Sequence, residues 1–243
     1  MAKLTALSPT LHKNLKINTD KIEAQGAHER LVPVVITEFS KLVVQYPIVF
    51  TKSEDSGEFV CVAVLGFEPN ENLFWQQHRW QGIYTPLQVL RQPFYVGHDQ
   101  GQNVICIDEH ARSISCDHGV AIFDDKGGET EFLRDVKKML AQLLKAEQET
   151  KRFIHTLLEY DLLVAMPLDI TFANGEARSV RGFYTIDETK LESLDADRLV
   201  SLQKAKYLSP LHMMLASTGH FYSLINLKNA RLSESQSTGS PCI

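Results

Sequence analysis

The sequence predicts an α+β fold, in which a mainly antiparallel sheet built from hairpins packs against several amphipathic helices. Two observations predict this class. Short apolar runs separated by polar turns fill the first half of the chain, as they do in antiparallel sheets. From residue 132 onward, apolar side chains recur at the spacing of one helical face.

The predicted strands begin with a hairpin. Residues 48–52 and 58–67 are apolar runs on either side of a linker rich in turn-forming residues. Residues 59–65 are apolar on both faces, which is typical of a strand that is covered on both sides. Further short strands are expected at residues 94–96, 103–108 and 119–123.

A second hairpin is predicted in the C-terminal half of the chain. Asn174 and Gly175 separate residues 168–172 from residues 177–186, and both turn residues tolerate a positive φ. We therefore expect these two segments to pair as antiparallel strands.

Two helices are predicted from apolar spacing alone. The first covers residues 36–46 and ends before Pro47, because proline cannot continue a helix. The second region, residues 132–160, carries one apolar stripe with a charged stretch near its middle. This pattern fits either one bent helix or two helices in tandem.

The remaining helices are predicted from their capping residues. Asp187 and Asp195 are N-cap candidates for a short helix over residues 188–191 and a longer one over residues 196–207. Ser209 followed by Pro210 is typical of a helix start, and the apolar spacing beyond it predicts a terminal amphipathic helix.

The domain organisation predicted from these elements is simple. No internal repeat or linker composition divides the chain, so we expect one α+β domain over residues 31–230. Residues 1–30 have an irregular pattern that predicts an N-terminal arm. Residues 231–243 become rich in Ser, Gly and Pro and are expected to form a flexible tail.

Charge and hydropathy limit the classes of partner. With 25 basic and 30 acidic residues, the net charge is −5, so no positive field gathers phosphates and nucleic acid is not an expected partner. No apolar run reaches the roughly 20 residues that span a bilayer. The partner is expected to be a protein or a small molecule.

The N-terminus and the cysteines indicate a compartment. The first residues lack the apolar core of a Sec signal peptide. The four cysteines lie far apart, which favours reduced thiols in a cytoplasm. We therefore expect a cytoplasmic protein, with export by a route other than Sec left open.

One group of residues resembles a metal site. Cys106, His110, Cys116 and His118 lie within thirteen residues, and zinc accepts these ligand types. Zinc sites usually contain a closely spaced thiolate pair, however, and Cys106 also fits the alternation of a strand. We expect no metal and no other cofactor.

An acidic pair is the next candidate. Asp124 and Asp125 precede Gly127 and Gly128, so they could bind a cation or act as acid and base. The alternative is a turn whose acidic residues favour the positive end of the following helix. No Gly-x-Ser-x-Gly elbow, catalytic triad or phosphate-binding glycine loop accompanies them.

The segment from Trp75 to Phe94 concentrates recognition-type residues. Trp80, Tyr84 and Phe94 could form an aromatic platform beside Arg91, which would pair with an anionic group. The alternative is that the rings pack in the core and Arg91 ties down loop carbonyls. Both interpretations stand on the sequence alone.

The order of several short motifs resembles the SapC family. They are Trp80-x-Gly-x-Tyr84-x-Pro86, Arg91-x-Pro-Phe94, Ile122-Phe-Asp-Asp125 before a long helix, Leu162-Leu163, Arg181-Gly-Phe-Tyr-Thr-Ile-Asp187 and Tyr207-Leu208. The resemblance extends over about residues 32–226.

The resemblance implies a bacterial protein, since the family takes its name from a protein associated with a bacterial surface layer. Family members are also encoded near halogenase-like, cupin-like and TonB-dependent receptor proteins, which implies an uptake or modification pathway. No established catalytic residues accompany the resemblance.

Three functional hypotheses follow from the sequence, and the last of them is a structural part of a surface array. The first is a non-catalytic accessory or binding protein that contacts its partner through Trp80, Tyr84, Arg91 and Phe94. The second is an enzyme that acts on a peptide, amino acid or glycan, with Asp124 or Asp125 working beside Arg91. Whether the protein is an enzyme is left open by the sequence.

Overall fold

A computed structural model describes residues 3–99 and 101–237, with side chains described through residue 234. Its strands are β1 (Leu4–Ala6), β2 (Lys16–Ile17), β3 (Leu31–Pro33), β4 (Ile48–Lys52), β5 (Phe59–Val64), β6 (Trp75–Gln76), β7 (Arg79–Trp80), β8 (Phe94–Asp99), β9 (Gln102–Asp108), β10 (Ile114–Ser115), β11 (Val120–Ala121), β12 (Leu163–Ala165), β13 (Leu168–Thr171), β14 (Ala177–Val180) and β15 (Tyr184–Ile186). Its α-helices are α1 (Pro9–His12), α2 (Phe39–Leu42), α3 (Leu87–Leu90), α4 (Glu131–Glu159), α5 (Glu188–Glu192), α6 (Ala196–Lys204), α7 (Leu208–Ser217) and α8 (His220–Ser237). The predicted α+β class, with antiparallel sheets and several helices, is confirmed.

The described residues form two compact units. The first contains the residues up to 27 together with 75–81 and 85–146, and the second contains residues 28–74, 82–84 and those from 147 onward. Helix α4 contributes its first half to the first unit and its second half to the second. The expected arm, single domain and tail stay a prediction.

The first unit is built on the antiparallel sheet β1-β9-β8. Phe94 is paired with Ile107, and Val96 with Ile105, so these four side chains share one face. That face and α4 form an apolar cluster in which Phe94 and Leu133 are almost fully buried. A smaller sheet, β10-β2-β11, adds Ile17 and Ile114 to the same cluster.

Gly119 explains how the smaller sheet closes. Its φ is +118°, and a Cβ added there would lie 2.4 Å from the carbonyl oxygen of Ile17. The backbone approaches too closely for any side chain, so only glycine fits immediately before β11.

The second unit contains the sheet β12-β15-β4-β5-β3, all of whose pairs are antiparallel. Phe153 of α4 is fully buried in this unit. Its ring centroid lies 6.3 Å from those of Phe39 and Phe50 and 5.2 Å from that of Tyr207. These edge and tilted contacts place the centre of the second core at Phe153.

Both predicted hairpins are present. Strands β4 and β5 pair from Ile48 with Ala63 to Lys52 with Phe59, and most of β5 is buried on both faces. Strands β13 and β14 pair around Gly175, whose φ is +84°. The second strand of that hairpin is shorter than predicted, because Gly182 adopts a φ of +87° and the chain then enters β15.

Helix boundaries were predicted less accurately. The region over residues 132–160 is one continuous helix, α4, which ends where Asp161 adopts a φ of +53°. Residues 36–46 contain one 3-10 turn and the four-residue α2 instead of a longer helix. The carboxylate of Asp187 accepts a hydrogen bond from the Lys190 amide and that of Asp195 from the Arg198 amide, which confirms both predicted caps.

The predicted terminal helix is two helices. Helix α7 begins at Leu208 rather than after Ser209, and α8 begins at His220. The break falls at Thr218 and Gly219, where the Thr218 hydroxyl donates to the carbonyl oxygen of Leu215 at 2.7 Å. Helix α8 extends to Ser237, and the remainder of the expected tail, residues 238–243, lies outside the described residues.

Within residues 3–99 and 101–237, every helix is too short or too polar to cross a bilayer. Cys61, Cys106 and Cys116 are unpaired thiols, and burial raises the pKa of Cys61. Cys242 lies outside the described residues.

Candidate functional site

Trp80 belongs to the core of the first unit. Only 8% of its surface is exposed. A Cβ added to Gly26 would lie 2.9 Å from Cζ3 of Trp80 and 3.0 Å from Cγ2 of Val89, so the indole ring packs directly on the Gly26 backbone. The hairpin β6-β7 pairs Trp80 with Trp75 and holds the ring in this position.

Tyr84 belongs to the second unit, where it joins a polar network. Its hydroxyl donates to the buried carboxylate of Glu38 at 2.9 Å, and its carbonyl oxygen accepts from the Tyr46 hydroxyl at 2.6 Å. Burial and then the Glu38 carboxylate raise the pKa of Tyr84, so the phenol keeps its proton and remains a donor. Lys41 Nζ lies 5.1 Å from the centroid of the Tyr84 ring.

Arg91 braces the loop that leads into β8. Its Nη1 donates to the carbonyl oxygen of Phe94 at 2.9 Å, and its Nε donates to Gln88 Oε1 at 2.5 Å. The guanidinium carbon lies 4.1 Å from the centroid of the Tyr95 ring. Phe94 itself is 1% exposed and faces the apolar cluster.

These contacts predict the effect of replacing Arg91 by lysine. A lysine keeps the charge but loses the planar fork and the stacking on Tyr95, so we expect Arg91→Lys to lower the free energy of unfolding by about 1 to 2 kcal/mol. Urea denaturation measures this change. Arg79→Lys is the matched control, because Arg79 is exposed in the same segment and its replacement should change stability by less than about 0.5 kcal/mol. Equal effects would contradict a bracing role.

Asp124 and Asp125 form a turn between β11 and α4. Asp124 Oδ1 accepts from the backbone amides of Lys126 and Gly128 at 2.9 and 2.7 Å. Asp125 is exposed. The turn brings Phe123 and Glu129 into an antiparallel bridge, so the Asp124 hydrogen bonds help to set the direction in which Glu129 leaves the turn. The proposed catalytic pairing of these aspartates with Arg91 stays a prediction.

A cavity of about 580 Å³ lies in the first unit, within the size range of small-molecule sites. Its floor is the sheet face carrying Val96 and Ile105, and its opposite wall is α4 with Leu133, Leu140 and Leu144. The N-terminal segment closes one side with Ala6, Leu7 and Pro9. Aliphatic side chains therefore form most of the lining.

Polar groups occur at a few points of this cavity. The charged side chains that line it are those of Lys137 on α4 and Glu129 at the end of the turn, and they form an ion pair with each other. Asn103 adds an amide. The Lys137 and Glu129 side chains are 41% and 39% exposed, which places them at the rim.

Side-chain contacts of Glu109 hold the N-terminal wall of the cavity in place. Its carboxylate accepts from Lys3 Nζ at 2.5 Å and lies 3.4 Å from Nε2 of the buried His12. The hydrogen bonds from Lys3 and His12 lower the pKa of Glu109 to about 2. Because its pKa is lowered, the ionised Glu109 carboxylate stabilises the folded N-terminal wall at pH values above 4.5, the ordinary glutamate pKa. This contribution is lost as the pH falls toward 2.

A second cavity of about 180 Å³ lies beside Phe94. It is lined by Ile22, Leu90, Phe132 and Met139 among others, with Asp135 at its edge. Its volume is below the usual range of ligand sites, so the larger cavity is the better candidate.

The structure brings the sequence candidates together only in part. Phe94 lies in the apolar cluster behind the larger cavity, and the Asp124 turn forms part of its edge through Gly127 and Glu129. Sequence patterns did not indicate Lys137 or the N-terminal wall. The helical spacing of Leu140 and Leu144 was the available signal for the α4 wall, but no local pattern marks Lys137.

The suggested metal ligands do not form a cluster. In the described part of the chain, no group of three or more His, Cys, Asp and Glu side chains is placed to hold a metal ion. Cys106 lies in β9, and a Cβ added to Gly97 would be 2.7 Å from its Sγ.

Fold and cavity together define an α+β protein with a largely apolar cavity between a sheet and a long helix. Residues 7–224 match the family model for SapC, so the chain belongs to the SapC family. No curated protein and no solved structure matches the chain.

Proposed function

We propose that this protein is a non-catalytic binding protein that holds a small, mostly apolar molecule between the sheet β1-β9-β8 and helix α4. The observation that carries the proposal is the cavity of about 580 Å³. Ligand sites of this size usually combine apolar walls with a few polar groups that orient the ligand. Lys137, Glu129 and Asn103 supply such groups at this cavity.

The walls of the cavity belong to well-packed elements. Leu133 and Leu140 are at most 3% exposed, and Ile105 is held in register by its pairing with Val96. A site whose walls are fixed before binding requires little ordering when the ligand enters. This supports retention of a ligand by a preformed cavity.

Blocking the cavity tests the proposal. Ala141 lines the cavity from the exposed side of α4, so the larger ring in Ala141→Phe occupies ligand space without disturbing the core. We expect the affinity for a neutral fluorescent probe, N-phenylnaphthylamine, to fall by about tenfold or more, which corresponds to about 1.4 kcal/mol. Fluorescence titration of the full chain measures it.

Gln142→Phe is the matched control. Gln142 is the next residue of the same helix, is exposed and does not line the cavity. This variant should bind the probe like the unmodified protein. Equal probe affinity in both variants, or no probe binding by the unmodified chain, would reject the proposal.

The cellular role proposed for the protein rests on its family. As a SapC-family protein, we propose that it is a bacterial accessory component of a surface-layer, uptake or modification pathway, and that it works in the cytoplasm. The free thiols of Cys61, Cys106 and Cys116 support that compartment, because thiols stay reduced there. Fractionation of the native cell that recovers the chain only with the envelope would contradict the cytoplasmic location.

A further inference from the structure

We propose that the cavity selects ligands with an uncharged polar end, and that Glu129 determines this selectivity by neutralising Lys137. The inference rests on the proposed function, because it concerns the ligand of the same cavity. It goes further by naming the chemical class, a neutral amphiphile such as a long-chain alcohol or amide.

The charges at the rim are balanced. The Glu129 carboxylate accepts a hydrogen bond from Lys137 Nζ, and both side chains line the cavity. Two neighbouring cations do not line the cavity: Arg134 donates to the backbone oxygen of Glu129, and Lys138 pairs with Asp135 at 3.0 Å. The lining therefore contributes one positive and one negative charge that already satisfy each other.

The rest of the lining cannot compensate a ligand charge. Beyond the ion pair, the described walls carry aliphatic side chains, the Phe123 ring and the Asn103 amide. A ligand carboxylate would gain attraction from Lys137 but would meet repulsion from Glu129, and an ammonium group would meet the reverse. Moving the ligand carboxylate or the ligand ammonium group out of water without an oppositely charged partner is unfavourable.

A hydroxyl or amide end avoids this conflict. It can both donate and accept, so it can bond to the Asn103 amide or to the outer side of the ion pair while that pair stays intact. Its apolar chain then contacts the aliphatic walls. Neutral amphiphiles therefore match both the walls and the rim.

Three ligands of equal chain length test the selectivity. Decanol, decanoate and decylammonium would each compete with N-phenylnaphthylamine for the full-length protein at neutral pH. We expect decanol to bind about threefold to fivefold more tightly than either ion. The factor is modest because the rim groups are about 40% exposed and water screens them.

Two single substitutions should each change which of the three ligands binds most tightly. Glu129→Gln leaves Lys137 without its carboxylate partner, so decanoate should become the tightest ligand. Lys137→Met leaves Glu129 without its cation, so decylammonium should become the tightest. Lys138→Met is the control, because Lys138 is the next residue of α4 but does not line the cavity, and it should keep the original order.

The possible failures are distinguishable. If all three compounds bind the unmodified protein equally, or if the order is unchanged by both substitutions, the selectivity inference is rejected and the binding function stands. If N-phenylnaphthylamine itself does not bind, the proposed function is rejected and this inference is rejected with it; if the probe binds and none of the three compounds displaces it, only this inference is rejected. A thermal melt of each variant confirms that it is folded before binding is compared.

Discussion

Trp80→Ala is expected to lower the free energy of unfolding by about 3 to 4 kcal/mol. The indole ring is 8% exposed and lies against the Gly26 backbone and Val89. Its removal leaves a cavity that this backbone cannot fill, because two separate segments of the unit would have to move together. Chemical denaturation followed by circular dichroism measures the loss.

Trp75→Ala is the matched control for this prediction. Trp75 pairs with Trp80 in the hairpin β6-β7, but it is only half-buried. We expect a smaller loss, about 1 to 2 kcal/mol, since less apolar surface leaves its packed environment.

The opposite outcome has a clear meaning. If Trp80→Ala keeps its stability and loses capture of a partner in a pull-down from native lysate, the aromatic segment is a contact surface as first predicted. The test therefore separates the platform from the packing interpretation.

Lys228→Met is expected to cost about 3 kcal/mol. The Lys228 side chain is 9% exposed, and its Nζ lies 2.8 Å from Glu68 Oε1 and 2.7 Å from Glu71 Oε1. Glu71 is 12% exposed, so removal of the ammonium group leaves a nearly buried carboxylate without the lysine that hydrogen-bonds to it. Urea denaturation at neutral pH measures the loss.

Lys190→Met is the surface control. Lys190 Nζ lies 2.5 Å from Asp161 Oδ2, but the two side chains are 45% and 83% exposed. Solvent screening makes such a pair weak, so this variant should lose much less stability than Lys228→Met. Similar losses for the two variants would show that burial does not strengthen the ion pairs of Lys228 with Glu68 and Glu71, which we call the Lys228 cluster.

The Lys228 cluster also predicts a pH dependence. The hydrogen bond from Lys228 lowers the pKa of Glu68, which favours folding above the ordinary pKa of 4.5 and is lost as the pH falls through the lower folded value. Burial lowers the pKa of Lys228, but the bonds to Glu68 and Glu71 outweigh it and raise the pKa overall. That contribution is complete below 10.5 and is lost as the pH rises through the folded value. Lys228→Met should therefore flatten the stability profile at both ends.

Local sequence patterns predicted the elements whose structure depends on near neighbours. The turn at Asn174 and Gly175 and the caps at Asp187 and Asp195 need only residues within a few positions. The break between α7 and α8 was missed, because apolar spacing continues across it while the backbone does not.

The candidate site was less predictable. Composition made Trp80 and Arg91 candidate recognition residues. Aromatic rings and guanidinium groups, however, occur both in recognition surfaces and in the packed interior, where they support the fold. Their contacts with Gly26 and Phe94 decide how each side chain is used, and the contact with Gly26 joins segments far apart in the chain. Periodicity indicated that Leu140 faces an apolar environment, but it does not distinguish a filled core from the wall of a cavity.

The sequence by itself determined the α+β class, the family and the local turns and caps, since these depend on side-chain periodicity, motif order and short-range hydrogen bonds. Only the tertiary structure decided that a cavity lies between β8, β9 and α4 and that Glu129 and Lys137 meet at its rim. The physical reason is that a cavity is space left between surfaces contributed by distant segments. Its volume and charge balance depend on how those surfaces meet, which no single stretch of sequence encodes.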